Sequence, residues 1–481
     1  MIRRVLSFAA IAAVLAGCAG DALAPDSPSS ADQALSLDRG SERSAVIFVT
    51  TEADAGPGSF RAALEAANAN PRIRSIRFKH GVRHVATAAE LSYTGAQDLS
   101  VEGDDAVVDA SGAGGNGLVA TGGGSLDITR LTIQNAPGNG LVLTVPAGAT
   151  GVVSLTLDRF AARGNGLYGV LMDDQAPEQD THAPTGSDSD AGIYFELRRS
   201  VIEDNGKSGP SDFDGARVQE GGNGSIVARI IDSRIALNGA DGVEYDERGE
   251  GNVEFEVLHS TFVQNGPQDP NDLDDGFDID EIGGGDVRGR MIDVDLDRNF
   301  DQGIDFDESD GGSVHLTLVD VRTRGNGLEG IKVSEDGNGD VQVFGNRVIS
   351  ANSATEEGAV YEEEGEGDIS VRLVQATFSG NAKENLEITE ADEGSIFARL
   401  TQVTAVGSVG DEGILIEETD GGSVDAALTR VTSNGNTKEG LEIAQETAGA
   451  DTGSLVLRRV NLDGNTGGPL TAEGVTVTTM P

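Results

Sequence analysis

The chain of 481 residues contains no tryptophan, five tyrosines and a single cysteine. No disulfide can close within it, so stacking and hydrogen bonding must carry the fold. Sugar-binding clefts are usually floored by aromatic rings, and aromatics make up only 4% of this sequence. Basic residues are scarce: 34 Lys and Arg stand against 81 Asp and Glu, for a net charge of −47. That balance excludes nucleic acid and anionic membrane surfaces as partners and favours cations and basic surfaces. Neither EF-hand spacing nor the nonapeptide Gly-Gly-x-Gly-x-Asp run of β-rolls is present, and the nucleophile elbow, the metal-ligand histidine pair and the phosphate loop are absent too. His80, His84, His182, His259 and His315 are scattered, and the last two each read as single, structural strand residues.

The N-terminus supplies the one long apolar run. Arg3 and Arg4 precede Val5 to Leu15, followed by small residues and Cys18, the layout of a secretory signal rather than a membrane span. Leu15-Ala16-Gly17-Cys18 resembles a bacterial lipobox, which implies cleavage before Cys18 and a lipid on that cysteine. Ala19 in place of Asp resembles lipoproteins sorted to the outer membrane of Gram-negative bacteria. Residues 18–45, rich in Pro, Ser and Asp, read as a flexible tether spanning on the order of 28 Å.

Beyond the tether, Val46 to Phe78 reads as a cap. A strand leads to Gly56-Pro57-Gly58, Ser59 is a helix N-cap, and a helix runs from Phe60 to Ala69 with Phe60, Ala63, Leu64 and Ala67 on one face. The segment resembles the N-terminal cap of exported bacterial β-helix proteins. An open solenoid needs such a cover, because exposed sheet ends pair with other chains.

Residues 79–481 read as one solenoid domain: 79–150 carry irregular early coils, and from about Gly151 to the C-terminus the sequence repeats itself. Aligning the copies on a corner residue gives Asn165, Asn205, Asn238, Asn265, Asn299, Asn326, Asn352, Asn381, Ser408, Asn436 and Asn465, most of them 26 to 29 residues apart. A fixed period in this range marks a solenoid, whose units bury their apolar faces only by stacking. Apolar residues alternate within each unit, so every run is a strand with one face inward. One inner file is expected to run Val243, Phe277, Ile304, Ile331, Ala359, Leu386, Ile414, Leu441. The Asn column suits a residue that tolerates left-handed backbone and hydrogen-bonds along the stack. The pattern apolar-x-apolar-x-x-Asn, then Gly-apolar-x-apolar, resembles the right-handed parallel β-helix repeats of the pectin lyase-like superfamily. The fold expected is therefore all-β: a right-handed parallel β-helix of about 13–15 coils, on the order of 65 Å long.

Two acidic columns recur in the repeat. The first, before the Gly, is Asp214, Asp241, Asp275, Glu329, Glu357, Glu384, Glu412 and Glu439, interrupted by Gln302; after Glu384 the Gly is replaced by Asn385. The second is Glu220, Glu247, Glu281, Glu308, Glu335, Glu363, Glu390 and Glu418, ending at Gln445. Unit charges about 4.8 Å apart repel by roughly 0.9 kcal/mol even in water, so something must offset them. Three readings are open: solvated turn residues that keep the solenoid soluble, Ca²⁺ between rungs, and catalytic carboxylates.

The second and third readings converge on one face. In three consecutive coils the outward positions are expected to be acidic: Glu244, Asp246, Glu247; Asp278, Asp280, Glu281; Asp305, Asp307, Glu308. Arg217, Lys332, Ser334, Val360 and Leu415 dilute the patch in the neighbouring coils. Long loops at 206–213 and 266–274 are placed to wall a notch beside it. These nine residues are the expected Ca²⁺ site. Asp274-Asp275-Gly276-Phe277-Asp278 resembles an Asp-bearing hydrolase motif of β-helix enzymes, and Gly330-Ile331-Lys332 a basic one, but no Gly-His-Gly accompanies them. The function expected is a non-catalytic, surface-exposed lipoprotein of the outer membrane, periplasmic or outward-facing. It would act in adhesion, envelope organisation or cation-dependent glycan contact. The alternative is a Ca²⁺-dependent polysaccharide lyase or glycoside hydrolase acting at the 244–308 face.

Overall fold

The computed structural model describes residues 44–176, 187–208, 213–271, 273–445 and 453–481. The expected signal peptide, Cys18 and the expected tether up to residue 43 lie outside the described residues, as does most of the loop between Asp173 and Asp190.

Residues 45–481 form a parallel β-solenoid of about 15 turns. Each full turn carries three short strands. The first set makes a 14-stranded parallel sheet from Leu91–Tyr93 to Gly468–Glu473. The second and third sets merge into a 25-stranded sheet, because Leu99–Asp109, Leu126–Gln134, Val287–Asp297 and Val314–Arg324 run through the corner between them without a break. In the first sheet Val243 pairs with Phe277, Phe277 with Ile304 and Ile304 with Ile331, all fully buried, so the expected inner file exists. Alternating side chains put one apolar residue in two into a continuous interior, where Phe277 meets Tyr245, Phe262, Phe255 and Phe306 at centroid distances of 5.2–5.6 Å.

The helix forms where expected, over Phe60–Ala69, with Ser59 Oγ accepting from the Ala62 amide at 3.1 Å. Phe60, Ala63, Leu64 and Ala67 face inward, and Phe60 meets Phe78 edge-on at 4.9 Å. Gln97 donates to the carbonyls of Ala67 and Ile73, tying the helix end to the first coils.

The asparagine column departs from expectation in two ways. Its members do bond along the axis: Asn165 Nδ2 donates to Asn205 Oδ1 at 2.8 Å, Asn205 to Asn238 at 3.0 Å, Asn238 to Asn265 at 3.0 Å, and Asn265 to Asn299 at 3.1 Å. The left-handed residue, however, is the one before the asparagine: Asp204, Leu237, Gln264 and Arg298 have φ of 58–62°. By the same register Asn352 occupies that left-handed position at φ 58°, and Ser353, not Asn352, stands in the ladder. His259 is likewise a corner residue with φ 48° rather than a strand residue.

Candidate metal-binding face

A strand alternates sides at every residue, and that parity divides the nine expected ligands. Glu244 and Asp246, Asp278 and Asp280, and Asp305 and Asp307 lie on the outer side of the first sheet in register from coil to coil. Glu247, Glu281 and Glu308 share the inner side with Val243, Phe277 and Ile304 and are at most 1% exposed. The nine residues therefore do not form one patch. Six face outward, and three belong to a buried column behind the sheet.

On the outer side, one register column reads Val119, Val142, Leu171, Arg217, Glu244, Asp278, Asp305, Lys332, Val360. It is apolar, then cationic, then acidic for three coils, then cationic, then apolar. Arg217 and Lys332, which the sequence presents as mere dilution, bracket the acidic coils. The buried Arg217 guanidinium is ion-paired to Glu244 and lies 3.2 Å from Asp246 and 3.5 Å from Asp214. Arg248 reaches Asp246 at 2.8 Å. At the other end Lys332 Nζ sits 3.1 Å from Asp305 and 3.0 Å from Asp307. Burial opposes the charge on Lys332, but the two aspartates hold its ammonium well above the ordinary lysine range. Between the brackets Asp278 and Asp280 form no ion pair among the described residues.

The first acidic column closes the site from the side. Asp214 Oδ1 accepts the Asp241 amide at 3.0 Å, Asp241 Oδ1 the Asp275 amide at 2.5 Å, and Asp275 Oδ1 the Gln302 amide at 2.5 Å. Each carboxylate thus spends one oxygen on the next coil, while the residue stays buried. They are not solvated turn residues here. Carboxylate oxygens of Asp275, Asp278 and Asp305 lie within 4.8 Å of one another, as do those of Glu244, Asp278 and Asp280. Gln302, read from sequence as an interruption of the column, is buried, with 7% of its surface exposed. Its Nε2 donates to Asp305 Oδ2 at 3.1 Å, and its buried Oε1 has no hydrogen-bond partner among the described residues.

Crowding works against ionisation. Burial, and then the charges of Asp280, Glu244, Asp275 and Asp305, push Asp278 well above the usual carboxyl range. Asp241 and Asp275 are raised for the same reasons. Asp305 is pushed up to about 8 by burial and by Asp307, against the pull of Lys332, and Asp280 to about 6 by burial, Asp246 and Asp307. A divalent cation would reverse that pressure. Oxygens on opposite sides of Ca²⁺ at its usual bond lengths are about 4.6–5.2 Å apart, and amide oxygens are as acceptable to it as carboxylates.

Of the two expected loops, residues 209–212 and Asp272 lie outside the described residues. Phe213, at the end of the first, meets Tyr168 edge-on at 5.2 Å in a small apolar cluster with Val142 and Leu171 on the outer side of the sheet. In the second, Gln268 donates its amide to the Gly239 carbonyl at 2.9 Å, which draws the loop onto the preceding coil.

No protein-family model matches the sequence, and neither does any curated protein. Among the described residues no helix is long and apolar enough to cross a membrane. Among the solved structures similar to this chain are two at 10% identity. One is ORF18 of Geobacillus virus E2, with a TM-score of 0.36 over 79% of this chain and 61% of that one. The other is PfbA, a surface adhesin of Streptococcus pneumoniae, with a TM-score of 0.30 over 78% of this chain and 94% of that one. The chain thus spans 61% of the length of the viral protein.

Proposed function

We propose that this protein is a non-catalytic β-solenoid rod that presents an acidic, calcium-loaded face to a glycan or cell-surface partner, held to the outer membrane by a lipid on Cys18. The observation that carries the reading is the Asp275, Asp278 and Asp305 cluster, with its oxygens within 4.8 Å and beside it Gln302 Oε1, which has no hydrogen-bond partner among the described residues. Calcium there would take the place of the protons that crowding favours on Asp278 and its neighbours and leave coordination positions for hydroxyls of a sugar. Rigidity favours contact over catalysis, since Asp278 and Asp305 sit on strands and Asp275 and Gln302 stand in the turns immediately before them. Lys332, the nearest candidate base for lyase chemistry, is neutralised by two aspartates and held protonated. The interior positions of Tyr245 and Tyr361 leave neither ring to stack on a sugar at this face.

A glycan panel screened with Ca²⁺ and with chelator tests the reading. Binding is expected only with Ca²⁺ and is expected to be lost in Asp278→Ala and Asp305→Ala. Reducing-sugar or unsaturated products that vanish in the same variants would instead establish a lyase or hydrolase. Detergent-phase partitioning of the native protein, abolished in Cys18→Ser, is the expected result for the lipid anchor; identical partitioning of the two would remove it.

A further inference from the structure

The inner glutamates form a second continuous feature, on the opposite side of the sheet from the proposed calcium. Glu220, Glu247, Glu281, Glu308, Glu335, Glu363, Glu390 and Glu418 pair in register from coil to coil, and Gln445 completes the file. All eight glutamates are at most 1% exposed. In Glu308 and Glu335 one oxygen is served by the corner that follows: the Gly339 amide donates to Glu335 Oε1 at 3.0 Å, and the Gly312 amide to Glu308 Oε1 at 2.7 Å. The other oxygen of Glu247, Glu281, Glu308 and Glu335, and both oxygens of Glu363 and Glu390, have no hydrogen-bond partner among the described residues. No Lys, Arg or His pairs with Glu335, Glu363 or Glu390 among the described residues. What lies next to each carboxyl is the carboxyl of the next rung.

An isolated buried carboxylate is expensive enough that it neutralises instead. A file of them has a further option, since a protonated carboxyl can donate to its neighbour. We propose that Glu335, Glu363 and Glu390 form a buried, proton-holding carboxyl ladder that ties successive coils together at acidic and neutral pH and weakens as the pH rises. The chain itself accepts the neutral isostere in this file, at Gln445. Burial, and then hydrogen bonding and charge from Glu308, Glu335 and Glu363 in turn, raise all three to about 8. The other titratable groups acting on the segment are Glu418 at its far end and Asp368 at the corner beside Glu390, and all of them are acidic. From the same inner side come Val333, Tyr361 and Ile388, of which only Tyr361 titrates, and burial drives its hydroxyl further from ionisation.

The sign follows from linkage. These carboxyls bind protons more tightly folded than unfolded, so their contribution is complete below the unfolded value near 4.5 and is lost as the pH rises through about 8. The test uses the full chain in chelator. The native melting temperature is expected to fall from about pH 5 to about pH 9, and E335Q/E363Q/E390Q should fall less and melt higher than native at the alkaline end. The infrared band of protonated carboxyls at neutral pH should shrink in the variant. E363Q alone, copying Gln445 at one rung, serves if the triple variant does not fold. Equal pH slopes with an undiminished carboxyl band would overturn the proposal. So would a Ca²⁺-dependent rise in melting temperature lost in E363Q but kept in Asp278→Asn, which would place a cation, not protons, in the file. Because Asp278→Asn leaves the inner file untouched, failure of the outer calcium reading is scored separately.

Discussion

Arg217 carries more of the outer face than any other single residue. Its side chain is 4% exposed and serves three carboxylates, of which Asp214 and Asp246 have fully buried side chains. Removing one partner from such a cluster leaves uncompensated buried charge, so Arg217→Ala should destabilise by about 3–5 kcal/mol, measured by denaturant unfolding. Asn385 is the second residue with a defined task. Ser408 is too short to continue the asparagine ladder, and Asn385, placed where neighbouring coils have glycine, spans the gap. It accepts from Asn381 Nδ2 at 2.8 Å and donates to Asn436 Oδ1 at 3.1 Å. Asn385→Gly should cost about 1–3 kcal/mol for each orphaned group, and Ser408→Asn alone should destabilise by overfilling the same space. The double variant recreates the ordinary coil and should recover most of both losses. A double-mutant cycle showing simple additivity would contradict this pairing.

At the scale of the element, the corners differ in what they demand. Between the first and second sheets, a side chain on Gly339 would overlap the carbonyl oxygen of Gly312 in the coil below and crowd Glu335 Oε1. At the asparagine corner Gly407 has φ +70° with nothing within 4 Å, a position that other coils fill with Leu237 or Gln264. Gly339→Ala should therefore cost several kcal/mol, more than the usual 1–3 kcal/mol of overpacking because the neighbour is backbone. Gly407→Asn should stay within about 0.5 kcal/mol, as for a surface change; thermal melts of both variants check the contrast.

The same scale explains what could be read in advance. Two-residue alternation and the period of about 27 residues are sufficient for the inner file from Val243 to Leu441, and the Ser59 cap with Phe60, Ala63, Leu64 and Ala67 on one face is sufficient for the helix. Parity alone would also have turned Glu247, Glu281 and Glu308 inward, since each stands two residues beyond an inward Tyr245, Ile279 or Phe306. Glutamate just before Gly-rich turns looks like solvated turn chemistry, and that competing pattern hid the ladder. The shift at Asn352 was hidden for a similar reason: asparagine fits both the left-handed position and the ladder, and only register separates them. Gln302 and Arg217 looked like interruptions because their meaning lies between coils, a contact that no single repeat displays.

For the molecule as a whole, each coil touches only its neighbours, so stability is close to a sum of local terms and interfaces between coils. Charge is distributed against that backdrop: the acidic excess concentrates in columns that lie along the axis, where repulsion would act between every pair of coils. Protons on the inside and calcium on the outside would relieve it on the two sides of one sheet. Calcium must displace protons from Asp280 and Asp305, so its affinity should rise from about pH 5 to about pH 8. The most direct measurement is thermal unfolding of the native chain and Asp278→Asn at pH 7.5, each in Ca²⁺ and in chelator. The account predicts that native protein gains about 2.7 kcal/mol at a free Ca²⁺ of one hundred times Kd, and that Asp278→Asn gains little or nothing. Identical native melting curves in calcium and in chelator would contradict it.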